Sequence, residues 1–218
     1  MRKLLAIWLG KILTIVGKTV GKKSSSSPGA YALKICPDLV KCLEKCVSKG
    51  IIVTCGTNGK TTTNNLMASA LEAKGYKVIC NKLGANMLSG IATTVLQEMS
   101  IFGKLKADYA CLEIDEAYTP IVFDYVKPDV MVITNLFRDQ LDRYGEIDIT
   151  SDIIKRAIKK VPNLKLVLNG DDPLCVQFGR EENVKAYYYG ISEKVLPQLD
   201  DTKEGRFCPV CGEEQKYN

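Results

Sequence analysis

The stretch Ile51-Ile52-Val53-Thr54-Cys55-Gly56-Thr57-Asn58-Gly59-Lys60-Thr61-Thr62 decides the fold of this chain. A short β-branched run that ends in a glycine-rich turn, with Gly-Lys-Thr at its exit, is typical of a strand, a phosphate-binding loop and a helix. Lys60 is predicted to reach the β- and γ-phosphates of a nucleotide, and the Thr61 hydroxyl to hold Mg²⁺. The full Walker spacing would place a glycine at position 54, where this chain has threonine. An ordinary glycine turn is therefore the alternative.

Downstream of this loop, apolar runs that predict strands alternate with patterns that predict helices. Strands are predicted at 51–54, 76–80, 107–114, 130–134, 164–168 and 184–189, and helices around 60–74, 89–102, 117–126 and 150–161. The runs that begin at 51, 130 and 164 are almost continuously apolar, which is typical of strands buried on both faces. The alternation predicts an α/β fold with a doubly wound, mostly parallel sheet.

Acidic and amide side chains follow three successive predicted strands. In doubly wound sheets, ligands bind at the carboxyl ends of the strands. On the same edge as a phosphate loop, these side chains predict a Mg·ATP site, and a solvated acidic rim is the alternative. The residues, in the order of the three strands, are Glu113, Asp115 and Glu116, then Asn135, Arg138, Asp139 and Asp142, and then Asn169, Asp171 and Asp172.

The composition is that of a soluble globular protein. Hydrophobic residues make up 46% of the 218 residues and charged residues 25%, which are ordinary values. The net charge of +5 comes largely from the first 23 residues, and without an aromatic-studded basic stripe no nucleic-acid partner is expected. Nine scattered cysteines indicate reduced thiols rather than a disulfide framework. Because the chain has no histidine, a transition-metal site would have to use thiolates.

An amphipathic helix is predicted over residues 1–23. Four lysines fall near one face and six apolar residues on the opposite face, and the run is too short and too charged to span a bilayer. No cleavage site of a secretory signal follows it. Packing on the body of the protein is the favoured interpretation, and an anionic membrane surface is the alternative. The lysines are Lys3, Lys11, Lys18 and Lys22, and the apolar residues are Leu5, Trp8, Leu9, Ile12, Ile15 and Val16.

A serine-rich linker at 24–29 precedes a second predicted helix over 38–49. Its apolar residues recur at the spacing of a helix face that contacts the core, namely Leu39, Cys42, Leu43, Cys46 and Val47. Cys42 and Cys46 are predicted to be structural, although their i, i+4 spacing would also suit metal ligands.

The stretch Cys208-Pro209-Val210-Cys211-Gly212 is typical of a zinc knuckle. One knuckle supplies half of a tetrahedral four-cysteine site, and no second pair follows it in these 218 residues. A redox-active pair is the alternative. The predicted organisation is therefore N-terminal helices and linker at 1–48, an incomplete ATP-binding domain at 49–203, and the start of a zinc ribbon at 204–218.

Several of these stretches together resemble the Mur ligase superfamily. The loop at 56–62 is similar to the ATP loop of the Mur ligases and folylpolyglutamate synthases. The stretches at 81–87, 112–116, 134–148 and 169–173, together with the Cys208/Cys211 knuckle, resemble the MurT family of lipid II isoglutaminyl synthase subunits. The resemblance extends from about residue 6 to the last residue.

This resemblance implies an ATP-dependent amidation in peptidoglycan synthesis, carried out in the cytoplasm or at the inner face of the membrane. The α-carboxylate of D-glutamate in the lipid II stem peptide would be phosphorylated by ATP. Ammonia from a GatD-type glutaminase partner would then displace phosphate and give D-isoglutamine. The implied ATP-binding residues are Gly56, Thr57, Asn58, Gly59, Lys60, Thr61, Thr62, Asn135 and Asn169. The implied Mg²⁺ ligands are Thr61 and Glu113, and the implied Zn²⁺ ligands are Cys208 and Cys211.

Three departures from the family pattern limit this expectation. Gln140 stands where amino-acid-adding Mur ligases carry a histidine, and the MurT type shares this loss of the histidine. Ile154 stands at about the position of their carbamylated lysine, with Lys155 one residue away. The C-terminal domain, which in the family carries the catalytic aspartate and the glutaminase-docking surface, is absent from these residues. The chain is thus expected to be a fragment, inactive alone and without a catalytic residue of its own.

Three other functions are weighed against this one. The runner-up is another ligase of the superfamily that adds an amino acid or a glutamate tail, and a non-catalytic ATP-binding module also stays open. A GTPase is disfavoured, because the stretch Asn81-Lys82-Leu83-Gly84 lacks the acid of the guanine-binding motif.

Overall fold

The computed structural model describes residues 2–19, 26–82, 85–136, 146–180, 184–191 and 213. A six-stranded sheet forms its centre, in the order β2-β3-β1-β4-β5-β6, and every neighbouring pair of strands is parallel. The strands are β1 (Val47–Cys55), β2 (Val78–Cys80), β3 (Ala107–Glu113), β4 (Val130–Ile133), β5 (Lys165–Asn169) and β6 (Lys185–Tyr189).

The helices of the described residues connect and cover these strands. They are α1 (Arg2–Thr19), α2 (Ser27–Ile35), α3 (Leu43–Cys46), α4 (Lys60–Ala73), α5 (Leu88–Glu98), α6 (Thr119–Val122), α7 (Glu146–Lys159) and α8 (Pro173–Val176). Three 3₁₀-helices lie at Pro37–Cys42, Glu116–Tyr118 and Gln177–Arg180. The predicted parallel α/β sheet is thereby confirmed, and all six predicted strands are present.

The central strand β1 has β3 on one side and β4 on the other. The strand order therefore reverses at β1, and a crevice opens where successive connections leave in opposite directions. The segment that follows β1 begins at Gly56. The topology consequently places the glycine-rich stretch at the position where ligands bind in sheets of this kind.

The predicted helix over 38–49 is wrong in its extent. The chain forms the 3₁₀-helix Pro37–Cys42 and the single turn α3, and it is already extended at Val47, which pairs with Ala107 of β3. Pairing with β3 overrides the helical spacing of the apolar residues, because it satisfies the backbone hydrogen-bonding groups from Val47 onward. Cys42 and Cys46 are half-buried and pack against the core, in agreement with the structural role predicted for them.

Two other predicted helices are shorter than expected. The helix predicted over 89–102 ends at Glu98, because Met99 is extended (φ −72°, ψ 143°) and is itself buried. The helix predicted over 117–126 is the short pair Glu116–Tyr118 and α6. After α5, hydrogen bonds between Ser100 and Lys104 close a turn that leaves Ile101 and Phe102 exposed at its tip.

Helix α1 packs on α2 and α5 through small residues. Ala6, Ile7, Gly10 and Thr14 are buried, and a Cβ on Gly10 would lie 2.5 Å from Leu96 Cδ1. The helix therefore packs on the body of the protein, but it does not use the large apolar residues predicted to share one face. Of these, all except the half-buried Leu9 are exposed. Small side chains decide this orientation because they let the helix axes approach closely.

No helix among the described residues is long and apolar enough to cross a membrane. All seven cysteines in this part of the chain are free thiols, as their scattered spacing predicts. Cys208 and Cys211, with the predicted zinc-ribbon boundary at 204, lie outside the described residues.

Candidate functional site

The loop after β1 requires glycine at both of its glycine positions, for different reasons. Gly56 has φ +126°, and a Cβ there would lie 2.3 Å from Thr134 Oγ1 and 2.8 Å from the Asn135 carbonyl oxygen. Gly59 has φ +78°, but a Cβ there would meet no atom within 4 Å. Both backbones are left-handed, which disfavours any side chain. Gly56 thus lets two loops come into contact, whereas the surface above Gly59 is open.

Helix α4 begins directly after this open surface. Its N-cap residue is Gly59, which has no side chain that could accept a hydrogen bond from the first amides. Thr61 and Thr62 are exposed in its first turn. The first amides of a helix have no acceptor within the helix and carry the positive end of its dipole. The start of this 14-residue helix is consequently suited to an anion such as a phosphate group.

The loop is held in place by the segment that follows β4. Thr57 N–H donates to the Asn135 carbonyl at 2.8 Å, and Asn58 N–H donates to Asn135 Oδ1 at 2.8 Å. In the opposite direction, the Asn58 carbonyl accepts from Asn135 Nδ2 at 3.0 Å and from Thr134 Oγ1 at 2.8 Å. Asn135, predicted to be at the nucleotide site, does lie against the loop, and in this structure its side chain binds the loop backbone.

A further layer of hydrogen bonds supports that segment from β5 and β6. Asn169 Nδ2 donates to the Thr134 carbonyl at 3.0 Å, and the Tyr189 hydroxyl lies 3.4 Å from the same oxygen. Asp172 Oδ2 accepts from Leu136 N–H at 2.9 Å. The amide of Asn169 is therefore one strand away from the loop and acts on it through Thr134. Thr134, Asp172 and Tyr189 were not predicted to hold this edge together, because their partners are backbone groups distant in sequence.

Lys60 is held by an acidic residue that follows β3. Its ammonium group lies 3.0 Å from Glu116 Oε1, and the same oxygen accepts from Gly56 N–H at 2.7 Å. The two side chains are 14% and 15% exposed, so this ion pair is partly desolvated. Lys60 Nζ also donates to the Thr57 carbonyl at 3.3 Å. A carboxylate oxygen thus binds two of the groups that would face phosphate oxygens.

Three buried polar atoms beside the loop have no hydrogen-bond partner among the described residues. They are Thr54 Oγ1 on β1, Asn64 Oδ1 on α4 and Glu113 Oε2 at the end of β3. Thr54 and Glu113 are paired across β1 and β3, and Glu113 is only 3% exposed. Buried polar groups without partners are rare in proteins and call for an explanation, such as an ion.

Asn81 fixes the backbone on both sides of that carboxylate. Its Oδ1 accepts from Glu113 N–H at 2.8 Å, and its Nδ2 donates to the Glu113 carbonyl at 2.8 Å. Asn64 Nδ2 lies 3.4 Å from Asn81 Oδ1, so the two buried amides form one network. Sequence reasoning missed this network. The sequence feature that could have indicated the network is Asn64, which lies one turn after Lys60 on the face of α4 that packs against the sheet.

The thiols near the site are unsuited to nucleophilic chemistry. Cys55 precedes the loop and is fully buried, and desolvation by burial raises its thiol pKa well above the usual value. Burial also raises the pKa of Cys80 to about 11 and that of Cys111 to about 12. These thiols stay protonated at neutral pH and behave as small apolar side chains.

The remaining predicted residues are placed as follows. Asp115 caps the 3₁₀-helix Glu116–Tyr118 by accepting from Ala117 N–H at 3.1 Å, and Asp171 Oδ2 accepts from Ile191 N–H at 2.8 Å. Ile154 is fully buried in the core, which gives that position a packing role. Arg138, Asp139, Gln140 and Asp142 lie outside the described residues, as do the knuckle cysteines.

The chain is similar to known proteins of one family. The family model described as "Mur ligase middle domain" matches residues 53–211. The subunit MurT of lipid II isoglutaminyl synthase (glutamine-hydrolyzing) from Staphylococcus aureus (strain COL) is 37% identical over 218 residues, which are 100% of this chain and 48% of that protein. The subunit of the same name from Streptococcus pneumoniae (strain ATCC BAA-255 / R6) is 39% identical over 195 residues, with 89% and 43% covered.

Solved structures agree on the fold. The MurF ligase from Thermotoga maritima, determined in complex with ADP, matches with a TM-score of 0.57 and 20% identity, over 75% of this chain and 37% of that one. MurF from Acinetobacter baumannii matches with a TM-score of 0.57 and 18% identity, over 72% and 34%. The chain spans about half the length of the curated relatives it matches. The chain belongs to the Mur ligase family, whose middle domain it carries.

Proposed function

We propose that this chain is the ATP-binding part of a MurT-type ligase, which amidates the α-carboxylate of D-glutamate in lipid II. The observation that carries the proposal is the loop itself. Gly59 is left-handed beneath open space at the start of α4, on the sheet edge where the buried carboxylate of Glu113 also lies. The similarity to the two MurT subunits supports the choice among ligases.

In this proposal, each part of the loop has a defined task. The backbone amides at the start of α4 bind the phosphates, because the first amides of a helix have no acceptor within the helix and carry the positive end of its dipole. Lys60 neutralises the β- and γ-phosphates once they replace Glu116 as its partner. Thr134, Asn135 and Asn169 keep the loop in this conformation through the hydrogen bonds described above.

The residues present fit a magnesium ion. Glu113 supplies a buried carboxylate oxygen that lacks a partner among the described residues, and Thr61 supplies an exposed hydroxyl in the first turn of α4. Oxygen ligands of this kind are those Mg²⁺ prefers, usually together with phosphate oxygens and water. When bound, the ion would draw charge from the transferred phosphoryl group.

The reaction follows from the chemistry of carboxylates. A carboxylate is a poor electrophile until one oxygen is phosphorylated. Transfer of the γ-phosphoryl group from ATP gives an acyl phosphate and releases ADP. Ammonia then attacks the carbonyl carbon, loses a proton and releases phosphate as the new carbon–nitrogen bond forms. Phosphoryl transfer depends chiefly on positioning and charge neutralisation. In the proposed assembly, a GatD-type glutaminase subunit supplies the ammonia and the rest of the longer ligase supplies the catalytic aspartate.

Titration calorimetry of Mg·ATP into the chain tests the nucleotide site. Lys60→Ala is expected to weaken binding by at least about tenfold, since a charge-assisted contact to phosphate is worth about 1.5–3 kcal/mol. Glu113→Gln is expected to abolish the dependence of ATP affinity on Mg²⁺ while leaving metal-free binding in place.

Lys74→Ala provides the matched control. Lys74 is exposed at the C-terminal end of the same helix α4, so its loss removes one positive charge without touching the loop. Equal affinities of the Lys60 variant, the control and the original chain would refute the nucleotide site. Amidation of lipid II by the longer ligase, assayed with and without ammonia, tests the substrate assignment separately.

A further inference from the structure

The face of α1 that points away from the protein carries large apolar residues from Leu4 to Val16. Six large residues on this face, defined here as the α1 patch, are between 37% and 63% exposed: Leu4, Leu5, Trp8, Ile12, Ile15 and Val16. Counted from Leu5, the four residues that follow it in the patch lie three, seven, ten and eleven positions further along, which is the spacing of one helix face. The buried residues of the helix, Ala6, Ile7, Gly10 and Thr14, lie on the opposite face.

The tip of the turn after α5 extends this patch. Ile101 is 56% exposed and Phe102 is 74% exposed, the largest value among the exposed large apolar residues of the described chain. The turn is fixed against α1, because Trp8 Nε1 donates to the Ile101 carbonyl at 2.9 Å and a Cβ on Gly103 would lie 3.1 Å from Ile7 Cδ1. Two elements distant in sequence therefore present one continuous apolar surface.

Positive charge accompanies this surface. The first 23 residues contain Arg2, Lys3, Lys11, Lys18, Lys22 and Lys23 and no acidic residue. Arg2 and Lys3 are exposed on α1, and Lys104 and Lys106 are exposed beside the tip of the turn. An apolar stripe bordered by cations is the combination that binds the interface of an anionic bilayer.

We propose that the α1 patch and the Ile101–Phe102 tip form a docking surface for an anionic lipid bilayer, with α1 lying in the plane of the interface. Trp8 suits this position, because its ring is exposed while its indole N–H is already satisfied by the Ile101 carbonyl. The tip would insert Phe102 alongside the helix. Such docking would hold the chain beside any substrate that carries a lipid anchor.

The charge distribution favours a bilayer over a second copy of the chain. A symmetric dimer through this face would bring the cations of both copies together, and like charges at a contact cost affinity. Anionic headgroups instead complement them, at about 1 kcal/mol for each basic residue near the surface. A dimer is therefore an alternative outcome of the test and not part of the proposal.

Co-sedimentation with vesicles tests the docking surface, using the 218-residue chain without nucleotide. Vesicles of phosphatidylglycerol and phosphatidylcholine in equal parts should bind it, whereas phosphatidylcholine alone should bind it weakly. Salt at about 1 M shortens the Debye length to about 3 Å and should release much of the bound protein. The double variant Ile12→Ser/Phe102→Ser should lower the partition coefficient at least about tenfold, since binding strength scales with the buried apolar area as well as with the electrostatic attraction.

Leu66→Ser/Ile149→Ser is the matched control, because these residues are 68% and 59% exposed on α4 and α7 and lie outside the patch. It should bind vesicles like the original chain. All of these side chains are exposed, so thermal unfolding should show little change in either variant. The proposal is overturned if the original chain does not bind anionic vesicles, or if both double variants bind equally. It is also overturned if sedimentation equilibrium shows that the patch holds two copies together in place of vesicle binding. None of these results depends on ATP binding or ligase activity.

Discussion

At the scale of single residues, the contact between Lys60 and Glu116 is the most informative feature of the site. One carboxylate oxygen of Glu116 binds both Lys60 Nζ and Gly56 N–H. A phosphate group placed in the loop would seek the same two donors. Nucleotide binding and this ion pair should therefore compete, because an anion that arrives at the loop must displace or repel the carboxylate.

Glu116→Gln removes the competing charge and keeps an acceptor for Gly56 N–H. We expect Mg·ATP to bind about fivefold more tightly to this variant, a gain of about 1 kcal/mol. Calorimetric titration against the original chain measures it, with Asp115→Asn as the control, since Asp115 is the neighbouring acid and caps a 3₁₀-helix instead of the loop. Weaker binding by Glu116→Gln would show that the carboxylate positions Lys60 for the nucleotide and does not compete with it.

At the scale of elements, helix contact through small residues organises the N-terminal part of the chain. Helix α2 contacts both α1 and α5. Gly29 on α2 donates its N–H to Thr93 Oγ1 on α5 at 2.9 Å, and a Cβ there would lie 2.0 Å from the Ser89 carbonyl oxygen. This close approach holds α2 against α5 and with it the platform on which α1 rests.

Gly29→Ala should force α2 away from α5. The clash involves backbone atoms of α5, which cannot rotate aside, so we expect the free energy of unfolding to fall by about 1–3 kcal/mol. Urea denaturation measures the change, with Ser27→Ala on the exposed face of the same helix as the control. If the two variants are equally stable, the α2–α5 contact is looser than described. ATP affinity should be unchanged, since the phosphate-binding loop lies between β1 and α4, away from α2.

At the scale of the whole molecule, the described cysteines comprise four half-buried and three fully buried thiols, and the knuckle adds two more cysteines. Cys55, Cys111 and Cys175 are fully buried, and among the described residues no group of three or more histidine, cysteine or acidic side chains could hold a metal. Cys208 and Cys211 supply two ligands, whereas a structural zinc site requires four. Because Cys55, Cys111 and Cys175 are fully buried, we expect that they do not complete a zinc site with the knuckle.

We therefore expect the 218-residue chain to purify with well under one zinc per chain. Elemental analysis measures the metal content, and Cys208→Ser/Cys211→Ser serves as the control for any zinc held by the knuckle. Extending the chain with a second Cys-x-x-Cys pair should raise the content to one zinc per chain. A stoichiometric zinc that resists chelators in the unextended chain, and that the double serine variant loses, would contradict the prediction.

The sequence by itself determined the sheet and the position of the loop. Local signals suffice for both: continuous apolar runs at 51, 130 and 164 mark buried strands, and Gly-Lys-Thr after the first of them marks the entry to α4. Parallel strands bring their carboxyl ends to one edge, so residues as distant as Gly56, Glu113 and Asn135 could be assigned to the same site. The predicted roles of these residues in binding ATP and Mg²⁺ stay predictions.

Only the tertiary structure decided which side of α1 is buried and how the loop is held. An amphipathic pattern shows that a helix has an apolar face, but not whether that face or a face of small residues meets the protein. The contact of Gly10 with the Leu96 side chain settles it, because the space that Leu96 occupies depends on the neighbouring helix α5. The same reason applies to the strand pairing of Val47, to the ion pair of Glu116 with Lys60 and to the hydrogen bond between the buried amides of Asn64 and Asn81. Their partners lie on other elements, and such long-range contacts have no counterpart in the local pattern of residues.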